Sequence, residues 1–483
     1  MAAPQTLTNL IDGKLVPPTT GRYIDSPNPA AGATHVLVPD SAAADVDAAV
    51  AAAAAAFPSW SATPRSRRSA LMLRIADLLE QRIEAFAAAE SRDQGKPVKL
   101  ARSMDIPRAI HNFRFFATAI LHQEESVTEL DGVAFSFVHR TPVGVAGLIS
   151  PWNLPLYLLT WKIAPCIAAG CTCVCKPSEI TSLTAWMLCE VMIEAGLPAG
   201  VVNMVFGTGP AVGSPLVAHK DVPLISFTGG TATGEIISKT AAPLHKKLSL
   251  ELGGKNANII FADADFEDAV TTSLRSSFQN QGEICLCGSR IFVQEEIYER
   301  FVEEFSRRAD ALVVGDPTDP ATDLGALVSK EHMEKVLSYI EIAKQEGGRI
   351  VAGGHRVVDG AFANGYFVRP TVIVGLHPTD CRVQREEIFG PVVTVTPFKT
   401  DADAIAFANS TKYGLSASVW TQNGQRAQRV ARQMHVGTVW VNCWMVRDLG
   451  MPFGGVKQSG LGREGRHHSM DFFCEEKAIC CRL

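Results

Sequence analysis

Cys285 lies in a polar segment between Gly282 and Gly288, directly before the apolar run Ile291–Val293. A buried structural cysteine is more usual inside an apolar run. A loop cysteine at the mouth of a sheet can instead meet a substrate and act as a thiolate nucleophile. Taken alone, a single cysteine is more often a small apolar residue packed under a turn. The motifs around Cys285 in the rest of the chain favour the nucleophile.

Two further residues supply groups that such a nucleophile needs. Glu251 lies among apolar and glycine residues, and burial there would raise its pKa toward the range of a general base. Asn153 lies in a stiff loop between Pro151 and Pro155, where its side-chain amide can donate to a developing oxyanion. Judged from its local sequence alone, Asn153 fits a plain turn better.

A glycine-rich segment and one acidic residue indicate a nucleotide site. The glycines at 207, 209 and 213 miss the dinucleotide fingerprint by one residue, and the expected acidic residue about 20 positions later is not evident. The segment therefore fits a structural turn equally well. Glu179 stands at the end of a neighbouring predicted strand, where a carboxylate accepts hydrogen bonds from a ribose diol and repels a 2′-phosphate. This favours NAD over NADP, and Lys176 can contact the same ribose or be a solvated strand-end lysine.

The elements that position these residues alternate between strand and helix. Over residues 145–250 the period is about 25 residues, which is typical of βαβ units and a parallel sheet. Because parallel sheets bind ligands at the carboxyl ends of their strands, the polar and glycine residues after five strands are expected at one edge. The predicted elements are strands Val145–Ile149, one closing at Val174, Val201–Phe206, Leu224–Phe227 and Leu248–Leu250, and helix Leu183–Ala195.

Two other regions complete the predicted α/β fold. Residues 1–40 read as short strands and turns, followed by a helix from Ala42 to Phe57 that Pro58 should stop. A single helix is predicted from about Arg65 to Asp93, ended by Gly95 and Pro97. A second βα region covers residues 256–445, with strands Asn258–Phe261, Ile291–Val293, Val392–Val395 and Thr438–Val441.

Composition excludes several classes of protein. A net charge of −5 with no long block of like charge argues against nucleic-acid binding. Prolines break the two long uncharged runs, so neither predicts a membrane helix. The N-terminal residues show no secretory signal, which favours a cytoplasmic protein.

The twelve cysteines are expected to be reduced thiols. Cys171, Cys173 and Cys175 alternate, so in a strand all three face one way, and we expect them to pack in the core. A metal site would need a CxxC pair or a nearby histidine, so no metal is expected.

Several motifs occur in a fixed order along nearly the whole chain. They are Pro151-Trp-Asn153, Lys176-Pro-Ser-Glu179, Phe227-Thr-Gly229, Leu250-Glu251-Leu-Gly-Gly-Lys255, Gly282-x-x-Cys285, Glu386-Glu387-Ile-Phe389-Gly-Pro391 and Pro452-Phe453-Gly-Gly455. Together they resemble the NAD(P)-dependent aldehyde dehydrogenase superfamily.

The resemblance implies a role for each matching residue. Cys285 would be the nucleophile, Glu251 the general base, and Asn153 with the Cys285 backbone N–H the oxyanion hole. NAD is the implied cofactor. The implied cofactor-binding residues are Ile149, Ser150, Trp152, Lys176, Ser178, Glu179, Gly209, Phe227, Thr228, Gly229, Thr231, Leu252, Glu387 and Phe389.

The implied mechanism splits one difficult oxidation into two easier steps. The Cys285 thiolate adds to the aldehyde carbon while Asn153 stabilises the alkoxide, which is typically worth about 3 kcal/mol of the barrier. Hydride transfer to the nicotinamide leaves a thioester, and Glu251 activates the water that hydrolyses it. Since free cysteine has a pKa of about 8.5, Glu251 or the cationic nicotinamide must promote the thiolate.

Three segments narrow the implied substrate. Glu283 stands where a glutamine is common in the family, and with Met104–Arg108 and Trp444–Arg447 it resembles the branch that oxidises 2-aminomuconate 6-semialdehyde in the kynurenine pathway of tryptophan catabolism. In that branch the matching arginines, Arg108 and Arg447, are thought to hold the substrate carboxylate. A guanidinium grips a carboxylate bidentately, which lysine does poorly. Asn153 and Phe453 complete the implied substrate contacts.

The resemblance also implies an architecture and an assembly. It predicts a Rossmann-type NAD-binding domain (residues 1–122 and 142–251), an α/β catalytic domain (252–463) and a small bridging element (123–141 and 464–483). Family members are homodimers or homotetramers, and the apolar bridging residues Val133, Phe135, Phe137, Phe472 and Phe473 suit burial in an interface.

Three alternatives remain open at this point. The first is a dehydrogenase for another aldehyde, either another semialdehyde or an apolar aldehyde such as retinal. Paired arginines would argue against the apolar aldehyde. The second is a cofactor-independent esterase or thioesterase using Cys285 and Glu251. The third is a non-catalytic scaffold, although a scaffold needs none of Cys285, Glu251 and Asn153.

Overall fold

The computed structural model describes residues 3–483, and its secondary structure is mixed α/β. The strands are β1 (Gln5–Thr6), β2 (Asn9–Ile11), β3 (Lys14–Val16), β4 (Tyr23–Asn28), β5 (Ala33–Pro39), β6 (Val127–Leu130), β7 (Ala134–Pro142), β8 (Val145–Ile149), β9 (Thr172–Lys176), β10 (Val202–Met204), β11 (Leu224–Thr228), β12 (Lys247–Glu251), β13 (Ala257–Ile260), β14 (Arg290–Gln294), β15 (Arg349–Ala352), β16 (Thr371–Val374), β17 (Val392–Phe398), β18 (Tyr413–Gly414), β19 (Ser416–Trp420), β20 (Thr438–Val441), β21 (Val456–Lys457), β22 (Gly460–Leu461) and β23 (Cys474–Arg482).

The helices cover both faces of the two large sheets. They are α1 (Ala43–Ser61), α2 (Arg65–Gln81), α3 (Ile83–Gln94), α4 (Val98–Leu100), α5 (Ile106–Ala119), α6 (Pro155–Ala169), α7 (Leu183–Ala195), α8 (Ser214–Ala218), α9 (Thr231–Ala241), α10 (Phe266–Phe278), α11 (Tyr298–Ala311), α12 (Lys330–Gln345), α13 (Arg382–Arg385), α14 (Asp401–Asn409), α15 (Gly424–Gln433) and α16 (Arg466–Phe472). None of the helices within residues 3–483 is both long and apolar enough to cross a membrane.

The first large sheet has eight strands in the order β22-β12-β11-β8-β9-β10-β2-β3. The five strands from β12 to β10 run parallel, as the alternating pattern predicts. Helices α2, α3, α5, α6 and α7 pack on one face and α1, α8 and α9 on the other. The carboxyl ends of β8, β9, β11 and β12 therefore meet at one edge, where the predicted site residues follow.

The second large sheet has seven strands in the order β15-β16-β17-β14-β13-β19-β20. All of its pairs are parallel except the one at the β15 edge. This sheet carries the loop before β14 that contains Cys285. The predicted strands of both regions are present, and their ends differ from the prediction by at most three residues.

A third sheet of three strands, β23-β7-β6, joins the C-terminus to the first half of the chain. Strand β23 pairs with β7 over nine positions, and β6 leaves Val127 and Leu130 exposed. The prediction that Phe473 suits burial between subunits is wrong. Its side chain is already buried within this chain, against the core of the first sheet. The domain boundaries drawn from the sequence stay a prediction.

Two helix boundaries were wrong. Pro58 does not stop α1, which continues to Ser61 because Pro58 still offers its carbonyl to the Ala62 N–H and the buried Trp60 anchors the last turn to the Ile167 carbonyl. The single helix predicted from Arg65 is two helices. The chain bends at Arg82, whose φ of −116° and ψ of 18° are not helical. Gly95 ends α3 in the left-handed conformation, as expected.

Candidate active site

The loop that presents Cys285 is bent by three consecutive left-handed residues. Asn280 and Gln281 both have a φ of 55°, and Gly282 has a φ of 72°. At Gly282 a β-carbon would collide with the Gly390 carbonyl, so glycine is required there for space as well as conformation. Non-glycine residues persist in this conformation only where the surroundings hold them. The bend leaves Cys285 partly exposed, while Cys287 is buried.

The three predicted catalytic residues line one cavity of about 290 Å³. Cys285 comes from the loop before β14, Glu251 is the last residue of β12, and Asn153 follows β8. Parallel strands of one sheet and a loop of the other therefore bring together residues about 100 and 130 positions apart. The cavity is also lined by Pro151, Trp152, Leu158, Thr228, Gly229, Gly230, Leu252, Gly253, His332, Lys335, Glu387 and Phe389.

Asn153 is buried, and its amide is only partly used. The Nδ2 atom donates to the carbonyl oxygen of Glu283 at 2.9 Å. A side-chain amide has two N–H donors, so one remains for an oxygen atom in the cavity. This is the requirement for an oxyanion-hole donor.

Glu251 is surrounded by groups that favour its neutral form. Burial and the neighbouring Glu464 carboxylate raise the pKa of Glu251 to about 8. Glu464 accepts hydrogen bonds from the Trp161 indole N–H and, at 3.5 Å, from Lys162 Nζ. Lys162 also donates to Ser226 Oγ at 3.0 Å. A carboxyl group with this pKa can act as a general base at mildly alkaline pH.

The surroundings of Cys285 favour its neutral thiol. Burial and the carboxylates of Glu251 and Glu387 raise the pKa of its thiol, and the positive charge of Arg447 lowers it by less. His332 lines the same cavity, but burial lowers the pKa of its imidazole to about 4, and its Nε2 lies 2.6 Å from the Phe389 carbonyl. His332 is therefore neutral near pH 7, so a base or a nearby positive charge must promote the thiolate.

A second cavity of about 380 Å³ adjoins the first at Pro151, Trp152 and residues 228–230. Ten of the fourteen predicted cofactor residues line it: Ile149, Ser150, Trp152, Lys176, Ser178, Glu179, Gly209, Phe227, Thr228 and Gly229. Its walls are the carboxyl ends of β8, β9 and β11, which is where open α/β sheets bind ligands. Two adjoining cavities suit an elongated ligand with two halves.

Polar groups in the second cavity fit a dinucleotide. Ser150 Oγ is buried with no hydrogen-bond partner among residues 3–483, so it has a donor and acceptor to spare. Lys176 Nζ lies 2.8 Å from Glu179 Oε2, which fixes that carboxylate at the strand end. The segment Gly209–Gly213 is a single π-helical turn that contributes Gly209 and Gly213 to the wall.

The other four predicted cofactor residues lie elsewhere. Leu252, Glu387 and Phe389 line the first cavity, where Glu387 accepts a hydrogen bond from the Gly254 N–H and Phe389 has a φ of 63°. Thr231 begins α9 and lines neither cavity, and its hydroxyl is 3.5 Å from the Gln458 carbonyl.

Arg108 and Arg447 line neither cavity and are stacked on aromatic rings. The Arg108 guanidinium lies 4.9 Å from the Tyr157 ring and 5.3 Å from the Trp161 ring. The Arg447 guanidinium lies 3.5 Å from the Phe453 ring and 5.9 Å from the Trp161 ring. Phe453 packs beside Cys285 with Ile284 and Leu286.

Each guanidinium has one buried nitrogen without a partner. The NH2 atoms of Arg108 and Arg447 are buried and have no hydrogen-bond partner among residues 3–483. Burial and the charge of Arg447 lower the pKa of Arg108. Because buried donors are normally satisfied, two cations that both lie near the Trp161 ring and both keep a buried donor free are an arrangement that an anionic ligand would complete.

Comparison with known proteins decides the family. The model of the aldehyde dehydrogenase family matches residues 15–479. The chain belongs to the aldehyde dehydrogenase family. It is 54% identical to the 2-aminomuconic semialdehyde dehydrogenase of Bos taurus over 98% of this chain and 97% of that protein, and 45% identical to the 2-hydroxymuconic semialdehyde dehydrogenase of Pseudomonas sp. (strain CF600) over 99% of each.

A solved structure of the family carries the cofactor. The crystal structure of PnpE in complex with nicotinamide adenine dinucleotide superposes with a TM-score of 0.97, at 43% identity and over 99% of this chain and 98% of that one. The aldehyde dehydrogenase fold is confirmed, and the protein is an enzyme that oxidises small aldehydes with a nicotinamide dinucleotide cofactor. The second cavity has the chemistry that such a cofactor needs.

Several residues of this aldehyde dehydrogenase site were missed from the sequence: Trp161, Lys162, His332, Lys335 and Glu464. Lys162 could have been identified from the sequence, because it is the single charged residue of helix α6. The others come from segments that carry no motif. Only the fold brings His332 and Lys335 to the cavity and Glu464 close to Trp161 and Glu251. Charge patterning along one segment cannot reveal a neighbour that is 300 residues away.

Proposed function

We propose that this aldehyde dehydrogenase acts on a semialdehyde that carries a carboxylate, most specifically 2-aminomuconate 6-semialdehyde, which it oxidises to 2-aminomuconate in tryptophan catabolism. The observation that carries the proposal is a pair of partly buried arginines, each with one buried guanidinium nitrogen that has no hydrogen-bond partner among residues 3–483. An apolar aldehyde such as retinal would leave both buried nitrogens without a partner, which is costly. The name of the Bos taurus relative supports the same substrate.

Cys285, Asn153 and Glu251 have separate tasks in the proposed reaction. Cys285 Sγ forms a bond to the aldehyde carbon, and the carbonyl oxygen receives the electron pair of the C=O double bond. Asn153 Nδ2 and the Cys285 backbone N–H donate to that oxygen. The bound NAD supplies the hydride acceptor. Glu251 then takes a proton from the water that attacks the thioester carbon, which releases the acid and the Cys285 thiolate.

NAD rather than NADP is proposed as the cofactor on the basis of Glu179. Its carboxylate lies at the end of β9 and is held by Lys176. A 2′-phosphate at the same place would meet a like charge, whereas the two hydroxyls of an unmodified ribose can donate to it. The other predicted cofactor residues, Thr231 included, stay assigned as the family resemblance implies.

A second candidate substrate is 2-hydroxymuconate semialdehyde, because the Pseudomonas relative carries that name. Both compounds present a carboxylate to the two arginines, so the clamp does not separate an amino group from a hydroxyl group. The arginine pair favours either compound over an uncharged aldehyde.

The decisive experiment is NADH formation by the purified protein over a panel of aldehydes. The panel contains the amino and hydroxy semialdehydes, an aliphatic semialdehyde with a carboxylate, an uncharged aldehyde of equal length and retinal, with NADP in parallel. We expect the highest kcat/KM for a carboxylate-bearing semialdehyde with NAD. Equal or higher kcat/KM for the uncharged aldehydes would contradict the substrate proposal while leaving the family unaffected.

We further propose a cytoplasmic homodimer or homotetramer assembled through the bridging element. Strand β6 is exposed along its length, and Val127, Leu130 and Val133 present apolar side chains at that edge. Exposed edge strands are commonly covered by pairing. Analytical ultracentrifugation of the wild type and of a Val127→Lys variant tests this, because the charge should weaken assembly without touching the cavities.

A further inference from the structure

A buried ion pair lies behind Asn153, outside both cavities. Lys96 and Asp105 have fully buried side chains, and Lys96 Nζ lies 3.0 Å from Asp105 Oδ2. Lys96 Nζ also donates to the carbonyl oxygen of Asn153 at 3.1 Å. Burying two charges is costly, so such a pair needs a reason beyond packing. The hydrogen bond from Lys96 to the main chain of Asn153, the candidate oxyanion donor, supplies such a reason.

The main chain of Lys96 is itself fixed. Lys96 follows Gly95, which ends α3 in a left-handed conformation. The Lys96 N–H donates to Gln94 Oε1 at 3.1 Å, and Ser91 Oγ donates to the Lys96 carbonyl at 2.6 Å. The lysine therefore reaches Asn153 from a rigid base.

Asp105 connects the pair to the proposed substrate clamp. It is the last residue of the π-helical segment Ala101–Asp105, which runs directly into α5. Arg108 lies three residues later on that helix. Single π-turns of this kind often mark functional sites, because they re-aim the residues around them. Through Lys96, the helix that carries Arg108 is thus tied to the loop that carries Asn153.

The carbonyl of Asn153 is held from the nucleophile side as well. Asn280 Nδ2 donates to it at 3.1 Å and to the Glu283 carbonyl at 3.2 Å. The Glu283 carbonyl is also the acceptor of the Asn153 side-chain amide, at 2.9 Å. The main chain of Asn153 therefore sits between the Cys285 loop on one side and the Lys96–Asp105 pair on the other.

We propose that Lys96 and Asp105 are positioning residues for the oxidation. By fixing the main chain of Asn153, they hold its side-chain amide at a set distance from Cys285 and from Arg108. The oxyanion donor and the two arginines can then act on the two ends of one substrate. The part that concerns Arg108 rests on the proposed function, whereas the part that concerns Asn153 applies to any aldehyde. Neither residue touches the substrate.

A double-mutant cycle with Lys96→Met and Asn153→Ala tests the proposal. Losing the oxyanion donor should lower kcat by about 100- to 1,000-fold. Lys96→Met alone should lower kcat by about 10- to 100-fold with KM for the uncharged aldehyde changed by less than about threefold, because it acts through that donor. The double variant should be within about threefold of Asn153→Ala, since residues that act as a unit are not additive.

Arg68→Met is the matched control. Arg68 is another buried cation that donates to main-chain carbonyls, those of Ala168 and Thr63, away from both cavities. It should lower the melting temperature and leave kcat within about twofold. Additive losses in the cycle, or equal kcat losses in the Arg68 and Lys96 variants, would show that Lys96 is merely structural and would overturn the proposal.

Two further measurements keep the result interpretable. If Lys96→Met does not fold, the same cycle is run with Asp105→Asn, which removes one charge and keeps the shape, and the same additivity criterion applies. Each variant is assayed with an acidic semialdehyde and with an uncharged aldehyde. A wild type that prefers uncharged aldehydes refutes the substrate proposal, yet the cycle on the uncharged aldehyde still decides whether Lys96 acts through Asn153.

Discussion

The two sides of Cys285 are built in different ways. The cofactor side is made of consecutive strand ends, with main chain and small residues such as Gly209 and Gly229 forming the wall. The proposed substrate side is made of long side chains, Arg108, Trp161 and Arg447, which come from three segments of the chain. We therefore expect the first side to recognise its ligand mainly by shape and the second by charge.

The difference extends to hydrogen bonding. On the cofactor side the charged groups are paired within the chain, as Lys176 is with Glu179. On the other side Arg108 and Arg447 each keep a buried nitrogen without a partner among residues 3–483. Substitutions on the two sides should therefore have separable effects, which the following experiments measure in order of expected size.

The largest expected effect is that of Cys285→Ser. A hydroxyl is a much weaker nucleophile than a thiol in this site, so NADH formation should fall by about four orders of magnitude or more. Binding of NAD, followed by quenching of protein fluorescence, should stay within about threefold of the wild type because the cofactor side is intact. Aldehyde oxidation at the wild-type rate would refute the covalent mechanism.

The next effect is on the substrate side. Arg108→Gln or Arg447→Gln should lower kcat/KM for an acidic semialdehyde by about 100-fold, because each removes a charge-assisted hydrogen bond from a buried site. For an uncharged aldehyde the loss should be below about threefold. Arg114→Gln is the control on the same helix, since Arg114 pairs with Glu80 and Asp77 at the surface. Equal losses of kcat/KM for both substrates would refute the proposal that the two arginines hold the substrate carboxylate.

A smaller effect is expected on the pH dependence of kcat. Glu251 has a pKa raised to about 8 and must be deprotonated to act as a base, so kcat should fall as the pH drops through about 8. Glu464→Gln removes a neighbouring negative charge, so the pKa of Glu251 should fall and the ascending limb should move to lower pH. If the ascending limb of the pH–kcat profile stays in place in the Glu464→Gln variant, or moves to higher pH, Glu251 is not the titrating group.

The smallest effect is expected at Glu179, which is partly exposed. Glu179→Gln removes the repulsion toward a 2′-phosphate, so the ratio of kcat/KM for NADP to that for NAD should rise by about tenfold. The relative kcat/KM values for different aldehydes should not change, since the substrate side is not altered. An unchanged cofactor ratio would assign NAD selectivity to another residue.

The strand ends of the cofactor side could be predicted from the sequence more directly than the substrate side, and the reason is physical. A strand followed by a polar turn is a local pattern, so β8, β9, β11 and their terminal residues could be placed directly. The catalytic roles of Cys285, Glu251 and Asn153 came from the family resemblance, and the structure brings all three residues into one cavity.

The remaining features depend on tertiary contacts that no local pattern encodes. Nothing in the local sequence around Lys96 and Asp105 indicates burial, yet both side chains are fully buried. Glu464 lies 3.5 Å from Lys162 although 302 positions separate them. Pro58 and Arg82 were misjudged because tertiary packing can carry a helix through a proline or bend a long amphipathic segment.

The antiparallel pairing of β23 with β7 bears on how this protein is made on the ribosome. Strand β23 is synthesised hundreds of residues after β7, and Phe473, directly before it, packs into the core of the first sheet. Until β23 emerges, β7 has only β6 as a partner within the chain, and one of its edges stays open. A chain terminated before Phe473 would therefore expose the open edge of β7 and the unfilled place of Phe473 to chaperones and proteases.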